Sequence, residues 1–272
     1  MRLKPYLWTF SATALALATG LAVATAEKRK AAAAETCVVA SGWLEPATSK
    51  SKSIAANKLL SSVANRDFVL LGEQHADPDH HRWQLQTLAG LHVYRPDMVI
   101  GFEMFPRRLQ PVLDRWVEGK LTVRDFLTQS EWDTVWSFPA ELYLPLFEFA
   151  RINQIPMLAL NVERSLTKAI GEKGWDNVSA TERAGLGRPA PPVAAYREIL
   201  SNVYREHAPA PRRLAVKPGQ ADKAFEAFLD AQLTWDRAMA EGLASRAVPG
   251  KNGSKPLLVG IMGSGHLRFG HG

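Results

Sequence analysis

Two stretches of the sequence place carboxylate, imidazole and glycine together directly after an apolar run. Gly72-Glu73-Gln74-His75 follows Asp67-Phe-Val-Leu-Leu, and Gly263-Ser264-Gly265-His266 follows Pro256-Leu-Leu-Val-Gly-Ile-Met262. Glu103 closes a third apolar run, Met98-Val-Ile-Gly-Phe102, and Asn161 closes a fourth, Pro156-Met-Leu-Ala-Leu160. Carboxylate and imidazole that converge can bind a divalent metal or act as a general acid/base pair. Gly72, Gly263 and Gly265 lack a Cβ and would let backbone approach a ligand closely. The competing reading is that Glu73 and His75 make ordinary loop hydrogen bonds and Gly72 only permits a turn.

Other polar groups are less informative. Asp77, Asp79, His80 and His81 resemble a metal cluster, but aspartates are favoured at a helix N-terminus by its dipole and caps. His80 and His81, being adjacent, point about 100° apart on a helix and do not chelate together. The sequence has no His-Glu-x-x-His, Walker loop or Gly-x-Ser-x-Gly elbow. Gly263-Ser264-Gly265 lacks the third glycine of a phosphate loop.

Aromatic residues raise a second chemistry. Trp132, Trp136, Phe138 and Tyr143 crowd one stretch, and Tyr196 and Tyr204 are eight apart on an expected helix, with His207 three residues on. Eight residues is slightly over two turns, so the tyrosines share a face. A phenolate or imidazole facing an apolar slot suits a haem iron. The simpler account is that these aromatics pack a helical core, as most do.

Elements must position these groups. Short continuous apolar runs ending in polar residues suit strands buried on both faces of a parallel sheet. A first helix is expected over Ile54 to Asn65. Asp77-Pro78 then reads as an N-cap and first helical position, opening a helix to Tyr94. Further helices are expected at Pro111 to Val117 and Glu141 to Asn153. From Arg164 to Ala247 the periodicity is helical, interrupted at Gly185 to Pro192 and Pro209 to Pro218. Its last helix, Gln220 to Arg246, carries Phe225, Phe228, Leu229, Leu233 and Met239 on one face. The expected fold is therefore α/β, a mostly parallel sheet flanked by helices with a small helical subdomain before the last strand. In residue ranges, 53–163 and 248–272 form the α/β core and 164–247 the helical subdomain, after a tether at 27–52. α/β folds usually continue past such a strand end, so the native domain is expected to extend beyond Gly272.

The N-terminus reads as an address. Arg2 and Lys4 precede an apolar run from Leu7 to Ala24, and Ala24-Thr25-Ala26 is a small-x-small cleavage pattern. That is the anatomy of a secretory signal peptide over residues 1–26, with a retained membrane anchor as the alternative. Cys37 is the single cysteine, so no intrachain disulfide forms, and Ala34-Glu35-Thr36 before it is no lipobox. The formal charge is +6, and removing Arg2 and Lys4 leaves +4. Charges are well mixed, with none of the basic stripes of nucleic-acid binders.

Five segments together resemble a known family. They are Val69-Leu-Leu-Gly-Glu-Gln-His75, Gly101-Phe-Glu-Met-Phe105, Ile155-Pro-Met-Leu-Ala-Leu-Asn161, Ala231-Gln-Leu-Thr-Trp-Asp236 with Met239-Ala240, and Val259-Gly-Ile-Met-Gly-Ser-Gly-His266. In this order, between Asp67 and His271, they resemble the ChaN haem-binding family. That family shares a superfamily with the Tiki proteases and is distantly similar to erythromycin esterases.

The resemblance implies an envelope protein of haem iron uptake, periplasmic or membrane-associated, that can dimerise around haem and work with an outer-membrane haem receptor. It implies a tyrosine on the iron and a histidine near the propionates. Tyr204 and Tyr196 are the candidates for the first, with His207 as polar partner. Many members carry tyrosine after the last Gly-x-Gly-His, where this chain has Phe269 and His271; an iron ligand from that loop would have to be His271. The resemblance to Tiki proteases implies an alternative, a metal-dependent hydrolase. His75, Glu103 and His266 would then hold Mn, Co or Zn, and Glu73 or Glu103 would activate metal-bound water.

Overall fold

The structure, a computed structural model, describes residues 43–45, 52–207, 222–250 and 253–271. The signal-like segment, Cys37 and the interruption at Pro209 to Pro218 lie outside them. The chain divides into two compact units, Met1–Ala56 and Asn57–Gly272. Within the first, β1 (Trp43–Glu45) and β2 (Lys52–Ile54) pair antiparallel.

In the second unit, α1 (Ala56–Val63, its first residue in the other unit) leads into β3 (Phe68–Glu73). There follow α2 (Pro78–Tyr94), β4 (Met98–Pro106), α3 (Gln110–Val117), α4 (Val123–Gln129), α5 (Trp132–Val135) and α6 (Ala140–Ile152). Next come β5 (Met157–Asn161), α7 (Arg164–Lys173), α8 (Ala194–His207), α9 (Lys223–Ser245) and β6 (Leu257–Gly263). Two 3-10 turns, Ser264–His266 and Arg268–Gly270, follow β6.

The sheet runs β3-β6-β4-β5 with every neighbouring pair parallel. Strands buried on both faces need apolar side chains at every position, which is why the runs read as continuous. All nine residues of β4 are buried, and all seven of β6. One face packs on α2, α3 and α6 through Leu88, Leu91, Leu113, Trp116, Leu146 and Phe147. The other packs on α9, where Met239 and Leu243 meet Val99, Leu158, Leu160, Leu258 and Met262. The last helix of the strandless stretch thus covers the sheet itself.

β4 is longer than its sequence suggests. Its ladder to β6 ends at Phe102↔Ile261, and its register with β5 shifts between Phe102 and Pro106. Glu103 therefore sits where pairing breaks, at the carboxyl edge of the sheet, though the strand continues to Pro106. Asn161 clamps this break: its side-chain amide donates to the Glu103 carbonyl at 3.0 Å. α2 starts as its sequence requires, with the Asp77 carboxylate accepting from the Asp79 N–H at 2.9 Å and Pro78 at the first position.

Candidate functional site

Beyond the carboxyl ends of the strands, where open α/β sheets bind ligands, the loop after β3 makes one side of a cleft. Glu73, the last residue of β3, is 1% exposed, and its Oε1 lies 2.5 Å from His75 Nδ1. The Tyr143 hydroxyl, on α6, donates to the His75 carbonyl at 3.2 Å and reaches Glu73 Oε1 at 3.4 Å. The two histidines at the start of α2 also hold this loop. His80 Nδ1 accepts from the Gln74 N–H at 2.9 Å, and His81 Nε2 meets the His75 carbonyl at 3.2 Å. Trp136 and Phe138 flank the His75 ring at centroid distances of 4.7 and 5.0 Å.

A second imidazole stands opposite. His266 Nδ1 is 2.5 Å from Asp236 Oδ1 on α9, and its Nε2 is 3.4 Å from Glu103 Oε1. The Glu103 carboxylate also accepts from the Gly263 N–H at 2.6 Å, and Asp236 accepts from the Tyr196 hydroxyl of α8 at 2.8 Å. Tyr196, Asp236, His266 and Glu103 thus form a chain of contacts from the helical stretch to the sheet edge.

Protonation follows from these pairings. Burial works against a charged His266, but the bonds and charges of Asp236 and Glu103 win and push it up to about 10. Burial likewise opposes ionisation of Glu103, yet His266 and the Gly263 N–H hold it below the usual carboxylate range. For His75, burial is outweighed by Glu73 and Glu103, and its value is raised. Burial beside Glu73 raises the Tyr143 phenol, and burial beside Asp236 raises Tyr196, so both stay neutral.

The glycines serve these close approaches. A Cβ on Gly263 would sit 3.0 Å from His75 Cε1, and one on Gly72 would sit 3.1 Å from the Ser264 Cα. At Gly72 the backbone makes room for the turn after β6 rather than for a ligand. Gly265 has no atom within 4 Å of such a Cβ.

Glu73, His75, Glu103 and His266 line a cavity of about 1020 Å³. Trp136, Phe138, Val135, Val162 and Trp235 supply its apolar wall, and Arg108 and Arg164 also line it. That volume lies at the upper end of small-molecule and cofactor sites.

The sequence matches, over residues 59–272, the family described as haem-binding uptake proteins, Tiki superfamily, ChaN. The chain belongs to the ChaN family. Its fold is similar to that of ChaN of Campylobacter jejuni, whose structure is described as showing cofacial haem binding. The TM-score is 0.55 at 17% identity, over 78% of this chain and 76% of that one. At that identity the likeness is one of fold. RRSP, a MARTX toxin effector domain from Vibrio vulnificus, is similar over 78% of this chain and 31% of its own, at 18% identity and TM-score 0.42, too low to carry an argument. Comparison with curated proteins finds no match.

The residues expected to hold metal or haem fall into different places. Among the described residues no group of three or more His, Cys, Asp or Glu side chains could hold a metal ion. The expected set of His75, Glu103 and His266 thus has no support as a metal site. They do come together, with a carboxylate near each ring nitrogen of His266, Glu103 at 3.4 Å and Asp236 at 2.5 Å.

Tyr196 and Tyr204, the candidate ChaN-type iron ligands, do share one face of α8, packing against α9. Tyr196 is buried and bonded to Asp236. The Tyr204 hydroxyl is buried without a hydrogen-bond partner among the described residues, its ring 5.7 and 5.5 Å from Phe225 and Phe228. His271 lies 6.2 Å from the Tyr196 ring, centroid to centroid. None of these three lines the cavity. His207 ends α8, and its side chain lies outside the described residues.

Sequence reasoning missed Asp236 and Trp235 as site residues and named Tyr143 only within the aromatic cluster. Trp235 and Asp236 stand inside a motif that carries the family resemblance, and that was their only signal.

Proposed function

We propose that this protein binds haem in the strand-end cavity and serves haem uptake in the cell envelope. One observation carries the reading: a cofactor-sized cavity with an aromatic wall holds an imidazole whose Nε2 has no partner among the described residues. The residues fit the group. Trp136, Phe138 and Trp235 offer apolar faces to a macrocycle, Arg164 offers a cation to its propionates while Arg108 is already paired with Glu131 and Glu163, and Glu73 Oε2 is a buried polar atom without a partner among the described residues. Bound haem would supply an iron able to accept a nitrogen or oxygen donor from the protein.

Membership in the ChaN family supports uptake as the purpose. The signal-like N-terminus supports the proposed export to the periplasm or a membrane surface. A second copy of the chain and an outer-membrane haem receptor are the partners this reading expects. Titration of the mature protein with haemin is expected to give a saturable Soret shift. A spectrum identical to free haemin throughout would overturn the proposal.

The Glu73–His75 pair favours one other reading, hydrolysis. A histidine steered by a carboxylate is the arrangement of a general base, and His266 lines the same cavity. Such a base would act on water without a metal on His266. Mature protein should then hydrolyse a chromogenic acyl ester, with the rate lost in His75→Ala. Equal rates from both proteins would remove this reading.

A further inference from the structure

Beside the strand-end cavity lies a second, smaller one that neither reading above uses. Its volume is about 380 Å³, within the range of small-molecule sites. Val162, Leu166, Ala169 and Ala184 supply its apolar lining. Val162 and Leu166 are buried and belong to the cluster that packs α7 against Ala238, so this wall is fixed. Ala184 is held at φ 48°, a left-handed conformation that strains an alanine, in the turn that brings it to the cavity.

The two cavities adjoin. Arg108, Val162, Glu163 and Ser165 line both. Across that shared boundary Arg108 Nε stands 2.7 Å from Glu163 Oε1, with the two side chains 42% and 44% exposed. An ion pair so open to water adds little stability and parts at little cost. Arg108 also grips Glu131 with both of its terminal nitrogens, at 2.6 and 2.8 Å, so it stays paired when Glu163 swings away. The partition is thus a gate rather than a wall.

The cations around the boundary are unequal. Arg107, on the side-cavity lining, gives its guanidinium to the Ala238 carbonyl at 3.0 Å, and Arg108 is held by its two carboxylates. Arg164, on the lining of the larger cavity, donates to the Val135 carbonyl at 2.9 Å. Its other guanidinium N–H groups have no acceptor among the described residues, and they suit a carboxylate. An anionic head therefore belongs in the larger cavity and an apolar chain in the smaller.

We propose that the adjoining cavities bind a fatty acid, its carboxylate against Arg164 and its unbranched chain running past the Arg108–Glu163 pair into the side cavity. This goes beyond the haem and hydrolysis readings and depends on neither.

The test titrates the mature protein calorimetrically with hexanoate, octanoate, decanoate and dodecanoate, each kept below its aggregation threshold. One molecule per chain is expected to bind, with affinity rising up to about fourfold for each added methylene until the side cavity is full. Ala169→Phe places a ring in the side cavity and should flatten that dependence on length. Arg164→Gln should weaken all four acids by a common factor of about threefold and leave the dependence on length intact. Head and chain are thereby read separately, one as an offset and the other as a slope. Circular dichroism checks that each variant is folded. Should Ala169→Phe misfold, the smaller Ala169→Leu must reduce the slope instead. Absence of binding, affinity independent of length in the wild type, or several molecules per chain would overturn the proposal. So would a slope unchanged in the folded Ala169 variant, and equal affinities in wild type and Arg164→Gln would remove the placement of the carboxylate.

Discussion

A single proton on His266 holds three side chains of the site in place. The ring lies between Asp236 and Glu103, and its side chain is 11% exposed, so little water competes for either contact. Removing one carboxylate's charge while keeping its shape should release that proton near neutral pH. In Asp236→Asn, the ring signals of His266 followed by NMR are therefore expected to titrate well below the wild-type value of about 10. A wild-type ring that itself titrates near 6.5 would contradict the geometry. Tyr196→Phe makes a milder change, taking one donor from Asp236. Its expected cost is about 1 kcal/mol in a denaturant melt, together with a smaller downward displacement of the same titration.

At the scale of elements, two glycines of one motif make unlike demands. Gly263 ends β6 where a Cβ would stand 3.0 Å from His75 Cε1 and 3.6 Å from Glu103 Oε2. Gly263→Ala must push the imidazole from Glu73 toward the cavity, so we expect a loss of about 1–3 kcal/mol from overpacking and weaker haemin binding. Gly265→Ala meets open space and should change stability by less than about 0.5 kcal/mol. Paired thermal melts and haemin titrations of the two variants check this, and equal behaviour would refute it. The sheet was legible because strands buried on both faces must be apolar throughout, so β3, β5 and β6 fall within a residue of the apolar runs. β4 was read short because Glu103, a charged residue, looked like a strand end; burial is tolerated there through the Gly263 N–H and His266. The short helices α4 and α5 carry too few turns to show a period. Glu73 and His75 were found because they are two apart. Tyr196 and Asp236 lie 40 apart and Asp236 and His266 30 apart, and only the packing of α8 and α9 brings them together.

For the whole molecule, the buried charges set a pH window of stability. The His266 proton is bound far more tightly in the folded chain than at the ordinary histidine value near 6.5. Its contribution is therefore full below about pH 6.5 and is lost as pH rises toward and through about 10. His75, also raised, adds loss in the same direction. Glu103 has the opposite sign: its folded value is depressed, so its contribution is present above about pH 4.3 and is lost as pH falls through the folded value. Together they predict greatest stability between about pH 4.5 and 6.5, with a decline on the alkaline side. Urea melts of the mature protein from pH 4 to 10 measure this directly. Asp236→Asn should be less stable at pH 6 yet show a flatter alkaline limb, because its His266 has a smaller shift left to lose. Parallel alkaline slopes in wild type and variant would mean that His266 does not carry the linkage, and the contact chain from α8 to the sheet edge would then be packing without charge.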